Sequence, residues 1–427
     1  MQPSRFLTSS LTPFLRLHHP ISKSQLIPRF FSNPSFSRSL GSLFTSRLLR
    51  PPTFKMSYSS DSEPDPELLE LLRQHLQGKT ASPTAAETGV LESAEFVYNH
   101  AIDVALDMRG CKKAAETIWT QMQQREYSPA TWSTHELHPK TKDEETVKFI
   151  FAMDILNFSF WSEKSEEERF QVEYRGRRWT GYWSLVAGLQ RGLEEGIPIT
   201  DPAFWINEEA FTVDVLRNVF RSATDEEIPL LQERFDCLRE AGQVLHEKYD
   251  GSVLDLIDAA NGSAAALVNL LASDFPCFAD IHAHPARRQP IRILKRAQIF
   301  VADLWACFEG QSYGSFPDID KITMFADYRV PQMLWQLNCL LYGPTLEAAV
   351  REKRMIEHGS EWEMQLRACS IWCVELIRRE IIRQNPEEAR GKVNAVLIDF
   401  LLYDDVKELE AEGRERIPHH RTRSIWY

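Results

Sequence analysis

No Asp or Glu occurs before Asp61, in a chain that holds 61 acids among its 427 residues. The same head carries Arg5, Arg16, Lys23, Arg29, Arg38, Arg47, Arg50 and Lys55. It is therefore +8 in a chain of formal net charge −12, which leaves −20 on the remainder. No run approaches the ~18 consecutive apolar residues that a spanning helix needs. Seven cysteines are an odd number and never fall as C-x-x-C, which argues against a disulfide framework and for reduced, buried thiols. There is no G-x-G-x-x-G and no G-x-x-x-x-G-K-[ST], so a doubly wound nucleotide fold and a P-loop are disfavoured. No repeat at 30–45 residues is visible, which excludes a solenoid.

What the head does contain is Ser, Arg, Phe and scattered Pro. An Arg-rich, Ser-rich, acid-free start has the composition of an organelle transit peptide, addressed to mitochondrion or plastid; a disordered basic tail is the plain alternative. Met56 follows directly, and a second start there would give a cytoplasmic form. Residues 1–56 are thus set apart, residues 57–90 read as an acidic linker, and residues 91–427 read as a single mostly helical domain. A body of that length buries about 75% of its unfolded surface without staples. Its −20 disfavours a nucleic-acid polymer as partner, because neutralised phosphates supply most of such affinity. A small phosphorylated ligand needs only one or two basic groups. No membrane partner is expected, and a monomer is.

Helical spacing dominates from about Leu91. Ile228, Leu231, Phe235, Leu238 and Leu245 recur with it, as does the run Ala264–Leu271, and a short amphipathic piece near Pro66–Leu76 is the one helix candidate of the linker. Ser360 and Glu363 have capping-box spacing ahead of Leu366, Ile371 and Leu376. Pro331 suits the first turn of a helix VPQMLWQLNCLL. Only FQVEYRGRRWTGYW reads clearly as strand, a hairpin about Arg175-Gly176. The expected fold class is mainly α with a small β-hairpin element.

Metal spacing is poor. His282 and His284 sit in DIHAHPARRQP, read as a Pro-bounded loop, and neither these, His419-His420, nor His135 and His138 have partners at ligand spacing. No nucleophilic Ser or Cys signature is read. Carboxylates remain. In KVNAVLIDFLLYDDVKELE the apolar stripe Val393, Val396, Leu397, Phe400, Leu401 continues at helical spacing onto Asp404, with Asp399 further round beside Tyr403. A carboxylate on an apolar face is costly unless paired or functional, so Asp404 is either a core acid that caps a neighbouring helix or pairs with an Arg, or a working group. Asp327, in ITMFADYRVPQ, is either helix-entry chemistry or half of a base-recognition pair with Phe325, an aromatic ring beside a carboxylate. Lys295, Arg296, Arg329, Arg421 and Arg423 could serve a phosphate or simply be solvated.

The segments LNFSFW (156–161), YRG (174–176), GYWSL (181–185), EGIPIT (195–200), KRAQI (295–299), ITMFADYR (322–329), WCVELIR (372–378) and the IPHHRTR ending resemble the queuosine salvage family. That family comprises queuosine 5′-phosphate N-glycosylase/hydrolases, which release the base queuine. The resemblance implies a helical domain similar to helix-hairpin-helix DNA glycosylases, with no metal or organic cofactor. It carries the ligand-lining positions onto His135, Phe325, Asp327, Asp399 and Asp404, with Asp404 as the catalytic carboxylate. Tyr403 joins them on the last helix, and Lys295 is the choice for the 5′-phosphate. The alternatives are a non-catalytic helical scaffold, whose buried acids are merely paired, and a nucleic-acid repair glycosylase.

Overall fold

A computed structural model of the chain describes residues 86–427. The expected transit peptide, the expected second start at Met56 and the helix candidate near Pro66–Leu76 lie outside the described residues. Helices predominate. They begin with α1 (Val90–His100), α2 (Met108–Gln124), α3 (Glu144–Ile155) and α4 (Tyr182–Glu194). A smaller group follows: α5 (Pro202–Ile206), α6 (Val213–Val219), α7 (Leu231–Lys248), α8 (Val253–Ala259) and α9 (Ala264–Asp274). The last five are α10 (Lys295–Cys307), α11 (Arg329–Gln336), α12 (Pro344–Arg351), α13 (Glu361–Gln384) and α14 (Ala395–Ala411). The expected patterns at 228–245 and 264–271 fall on α7 and α9. No helix among the described residues is long and apolar enough to cross a membrane.

Two helices carry the interior. All residues of α10 except Trp305 are buried, and α13, the longest, is buried on most of its circumference. Helix α13 packs on α1, α2 and α14, while α10 packs on α3 and α9. Ser360 caps α13, its Oγ accepting from Glu363 N at 3.4 Å. The reciprocal half of the expected box is displaced by one residue, because the Glu363 carboxylate takes Gly359 N and His358 instead.

Strand content exceeds the expectation of one hairpin. The predicted pair is present as β2 (Val172–Tyr174) and β3 (Arg177–Trp179), with Arg175 and Gly176 both at positive φ, as a two-residue type I′ turn requires. Two further antiparallel pairs were not legible. Strands β4 (Ile281–His284) and β5 (Arg287–Arg292) occupy the segment read as a loop; a bulge between His282 and His284 breaks the period-2 pattern that would have signalled it. Strand β1 (Val104–Leu106) pairs with β6 (Leu340–Tyr342), so VPQMLWQLNCLL is not one helix. It ends at Gln336, and Asn338, at φ 59, turns the chain into β6. That turn lies against α2 at Gly110, where an added Cβ would meet Asn338 O at 2.0 Å. All seven cysteines are free and buried, in line with the expectation of reduced thiols.

Candidate active site

One cavity of about 510 Å³ collects residues from the whole length of the described chain. Its size is in the range of small-molecule sites. His135, Phe325, Asp327, Asp399, Tyr403, Asp404 and Lys295 all line it.

Helix α14 supplies one wall. Asn394 caps it, with Oδ1 accepting from Leu397 N at 2.9 Å, so Val393 lies outside the helix and is not part of a stripe on it. The first turns are buried on nearly every side, packed by α11 and α13, and apolar phase therefore does not mark the cavity face. That face is Asp399, Phe400, Tyr403 and Asp404, at i, i+1, i+4 and i+5. Asp399 and Asp404 thus share one wall rather than lying apart, and Asp399 is the more deeply buried.

The three acids are held differently. Asp404 Oδ2 accepts from the Tyr127 hydroxyl at 2.7 Å; burial raises its carboxyl, and Tyr127 opposes the rise. Asp399 Oδ1 accepts from Phe325 N at 2.8 Å, which ties α14 to the Phe325–Asp327 segment. Burial, with the charge of Asp327 nearby, pushes Asp399 well above the usual carboxylate range. Asp327 Oδ1 accepts from Arg329 N at 2.8 Å and Val330 N at 2.9 Å. This is the helix-entry chemistry read from the sequence, and it coexists with a place on the cavity wall. Burial raises Asp327 too, but the Lys295 ammonium and these two amides oppose it.

Helix α10 forms a second wall through Lys295, Ile299 and Asp303, spaced by one helical turn each. Its N-terminus has no side-chain cap of its own. Asp280 substitutes, Oδ2 accepting from Lys295 N at 3.3 Å, and is fixed by Arg367 at 3.0 and 2.6 Å. Burial brings Lys295 down to about 8, and its Nζ donates to Asn157 O at 3.3 Å. Asp303, which sequence reasoning missed, is pushed up to about 8 by burial.

The third wall is aromatic. His135 stacks on Trp183 with ring centroids 3.3 Å apart, and His138 on Trp132 at 3.8 Å. Burial lowers His138 to about 3, which keeps it neutral. Its Nδ1–H therefore donates to Trp132 O at 2.7 Å and Nε2 accepts from the Tyr182 hydroxyl at 2.7 Å. Tyr127 and Trp132 carried no usable sequence signal, since isolated aromatics are most often core, while Tyr182 and Trp183 lie in the GYWSL segment that carries the resemblance but were not singled out.

Two other groupings lie elsewhere. Gly310-Gln311-Ser312-Tyr313-Gly314 has the spacing of a serine elbow that the sequence reading passed over. It follows helix α10 rather than a strand, and Ser312 is exposed and off the cavity wall. Among the described residues, the sulfur atoms of Cys111, Cys339 and Cys373 lie within 4.8 Å of one another, with Cys111 and Cys373 at 3.7 Å. These thiols could hold a soft cation, and none of them lines the cavity.

A wall of carboxyls held in different ways and facing aromatic rings suits a planar heterocycle with polar edges and a reaction that develops charge. The comparisons point the same way. A family profile described as Queuosine salvage protein matches residues 137–427. A protein of Schizosaccharomyces pombe named queuosine 5′-phosphate N-glycosylase/hydrolase is 45% identical over 354 residues, covering 79% of this chain and 99% of its own length. Proteins of the same name from Bos taurus and Sphaerobacter thermophilus are 40% and 38% identical over 340 residues, covering 79% of this chain and 98% of their own.

Proposed function

Because the chain belongs to the queuosine salvage protein family, we infer that it is an N-glycosyl hydrolase that cleaves queuosine 5′-phosphate and releases queuine for reuse in tRNA modification. The observation that carries the reading is the convergence of Phe325, Asp327, Asp399 and Asp404 on one cavity from two segments more than 70 residues apart, joined by the bond from Phe325 N to Asp399.

The chemistry follows from charge. Breaking the bond leaves positive charge on the sugar and negative charge on the departing base. An ionised carboxylate facing the sugar stabilises or attacks the cation, and a neutral acid can donate a hydrogen bond to the base. Asp399, deeply buried and pushed upward, is the acid whose surroundings favour the second role. Phe325 offers a face for the base, and His135 and Tyr403 complete its surroundings. Asp404 takes the first role on the family resemblance, with Tyr127 as its donor. A specific observation favours Asp327 as a second reading. Two amides and the Lys295 ammonium favour its anion, against one phenol and the charge of Arg125 for Asp404.

No step in this scheme uses a metal or organic cofactor; action on a small nucleotide and not a polymer is supported by the cavity's size and the acidic body, and the monomer is part of the same proposal. The likeness to helix-hairpin-helix DNA glycosylases rests on the predominantly helical fold, and superposition of an experimental structure tests it. For the activity, purified protein is incubated with queuosine 5′-phosphate, queuosine and GMP, with and without a chelator, and free base is measured. Release of queuine from the nucleotide, undiminished by the chelator, is expected. No release would leave the scaffold reading standing, and tight duplex binding at low salt would favour the repair glycosylase.

A further inference from the structure

Three buried thiols meet away from the cavity, and the fold gathers them from distant parts of the chain. Cys111 lies in the first turn of α2, Cys339 in the turn that leads into β6, and Cys373 in the middle of α13. All three are at most 2% exposed. Their sulfur atoms lie within 4.8 Å of one another, with Cys111 and Cys373 at 3.7 Å. A free buried cysteine packs as a small hydrophobe, which gives no reason for three sulfurs to face one another. The backbone is built around the approach. Asp107 N donates to Cys339 O at 2.9 Å, which pins the turn to the start of α2. Gly110 makes room for that turn, since a Cβ there would strike Asn338 O. Packing of α13 on α2 supplies the third sulfur.

The donor set selects its ligand. Metal–sulfur bonds of about 2.3 Å put three sulfurs in a plane around one ion about 4.0 Å apart, close to the spacing present. A disulfide needs two sulfurs at about 2.05 Å, which two packed helices could reach only by moving. Among the described residues no histidine, carboxylate or fourth thiol joins the group. A hard cation finds no side-chain oxygen there, and a structural zinc site takes four ligands. Thiolates alone, inside the hydrophobic core, suit a soft ion that accepts low coordination, and Cu(I) is that ion. Cys111 also stands near the positive end of α2, which favours the thiolate a metal needs. Binding releases the thiol protons to solvent and changes no oxidation state.

We propose that Cys111, Cys339 and Cys373 form a Cu(I) site that clamps α2, the turn into β6 and α13 together, apart from the glycosidase chemistry. The ion enters by opening the first turn of α2, whose Met108, Arg109 and Lys112 are exposed. None of the three thiols lines the cavity, so the site stands whether or not the activity reading holds. Its test is a titration of the reduced full chain, without oxygen, against Cu(I) held by a colorimetric chelator, with a parallel sample offered Zn(II). One equivalent of Cu(I) per chain should be taken up, and X-ray absorption should show three sulfur neighbours with no nitrogen or oxygen. The melting temperature should rise by roughly 5 °C at saturation. Cys111→Ser and Cys373→Ala should each weaken uptake by about a hundredfold or more. Cys237→Ala, at a buried thiol outside the cluster, should keep the full equivalent. Each variant is read only if its metal-free melting matches wild type, and Cys339→Ala replaces one that does not. Failure to compete for Cu(I), uptake of Zn(II) in preference to it, or uptake that survives these substitutions overturns the proposal.

Discussion

Two parts of the interior bury carboxylates and treat them in opposite ways. Around Arg367, Asp280 receives two guanidinium bonds at 3.0 and 2.6 Å and lies 2.8 Å from His282 Nε2, and its carboxyl is held below the usual range. Along the cavity, Asp303 and Asp399 are just as deeply buried, yet no cation lies within ion-pair distance among the described residues, and both are pushed up. Paired buried charges fix geometry at a large desolvation cost, while unpaired ones are tolerated where chemistry needs a perturbed acid. The two regions are mechanically joined. Arg367 Nε donates to Ala326 O at 2.9 Å, between Phe325 and Asp327, and Asp280 anchors the start of α10 beneath Lys295. The ion-paired knot holds in position the elements that carry the acids without a counter-ion.

The contrast can be broken most severely at the knot. Arg367→Met leaves Asp280 buried without its counter-ion and should cost roughly 3–5 kcal/mol of stability by urea denaturation. A loss below about 1 kcal/mol would mean that the knot is not what anchors the site. At the cavity the loss should fall on turnover instead. Asp404→Asn and Asp327→Asn, measured side by side, should leave the melting temperature nearly unchanged, and the variant whose kcat falls more than about tenfold identifies the stabilising carboxylate. If both retain more than about a tenth of wild-type turnover, neither has that role.

A pH experiment sharpens the same division. Asp303, at about 8, is protonated in the folded protein at pH 7 and ionised in the unfolded chain. Folding therefore binds a proton, and this contribution to stability, full below the unfolded value of about 4, is lost as pH rises through about 8. Relative to wild type, Asp303→Asn should gain stability between about pH 5 and pH 8; parallel curves would show that Asp303 is not held neutral. The smallest effect belongs to Tyr127→Phe, which removes one donor from Asp404. About 1 kcal/mol of stability and a severalfold loss of kcat are expected, and unchanged kcat would detach Asp404 from catalysis.

Family likeness made Phe325, Asp327, Asp399 and Asp404 legible in the sequence, and periodicity found α7, α9 and α13. Physical pattern alone misjudged α14, because a helix packed on nearly every side has no informative apolar face. Asp303 had a signal that was overlooked: it stands two turns from Lys295 inside an otherwise apolar helix. Tyr127 had none, since its partner Asp404 is 277 positions away. For the same reason β1 and β6 are too short to announce a pairing across the chain.

Those separations govern how the protein is made. Tyr127 waits for Asp404, Trp161 for Thr422, Ile102 for Gln365, and Arg423 closes on Ser159, 264 positions earlier. A ribosome that has built α1 to α9 has therefore produced the aromatic wall of the cavity, neither of the walls carried by α10 and α14, and none of these closing contacts. Loop closures of this length are slow and leave apolar surface exposed in the interim. Tyr127 and the segment from Ser159 to Trp161 must wait until the last tenth of the chain emerges, so premature truncation should yield an aggregation-prone remnant rather than a weaker enzyme.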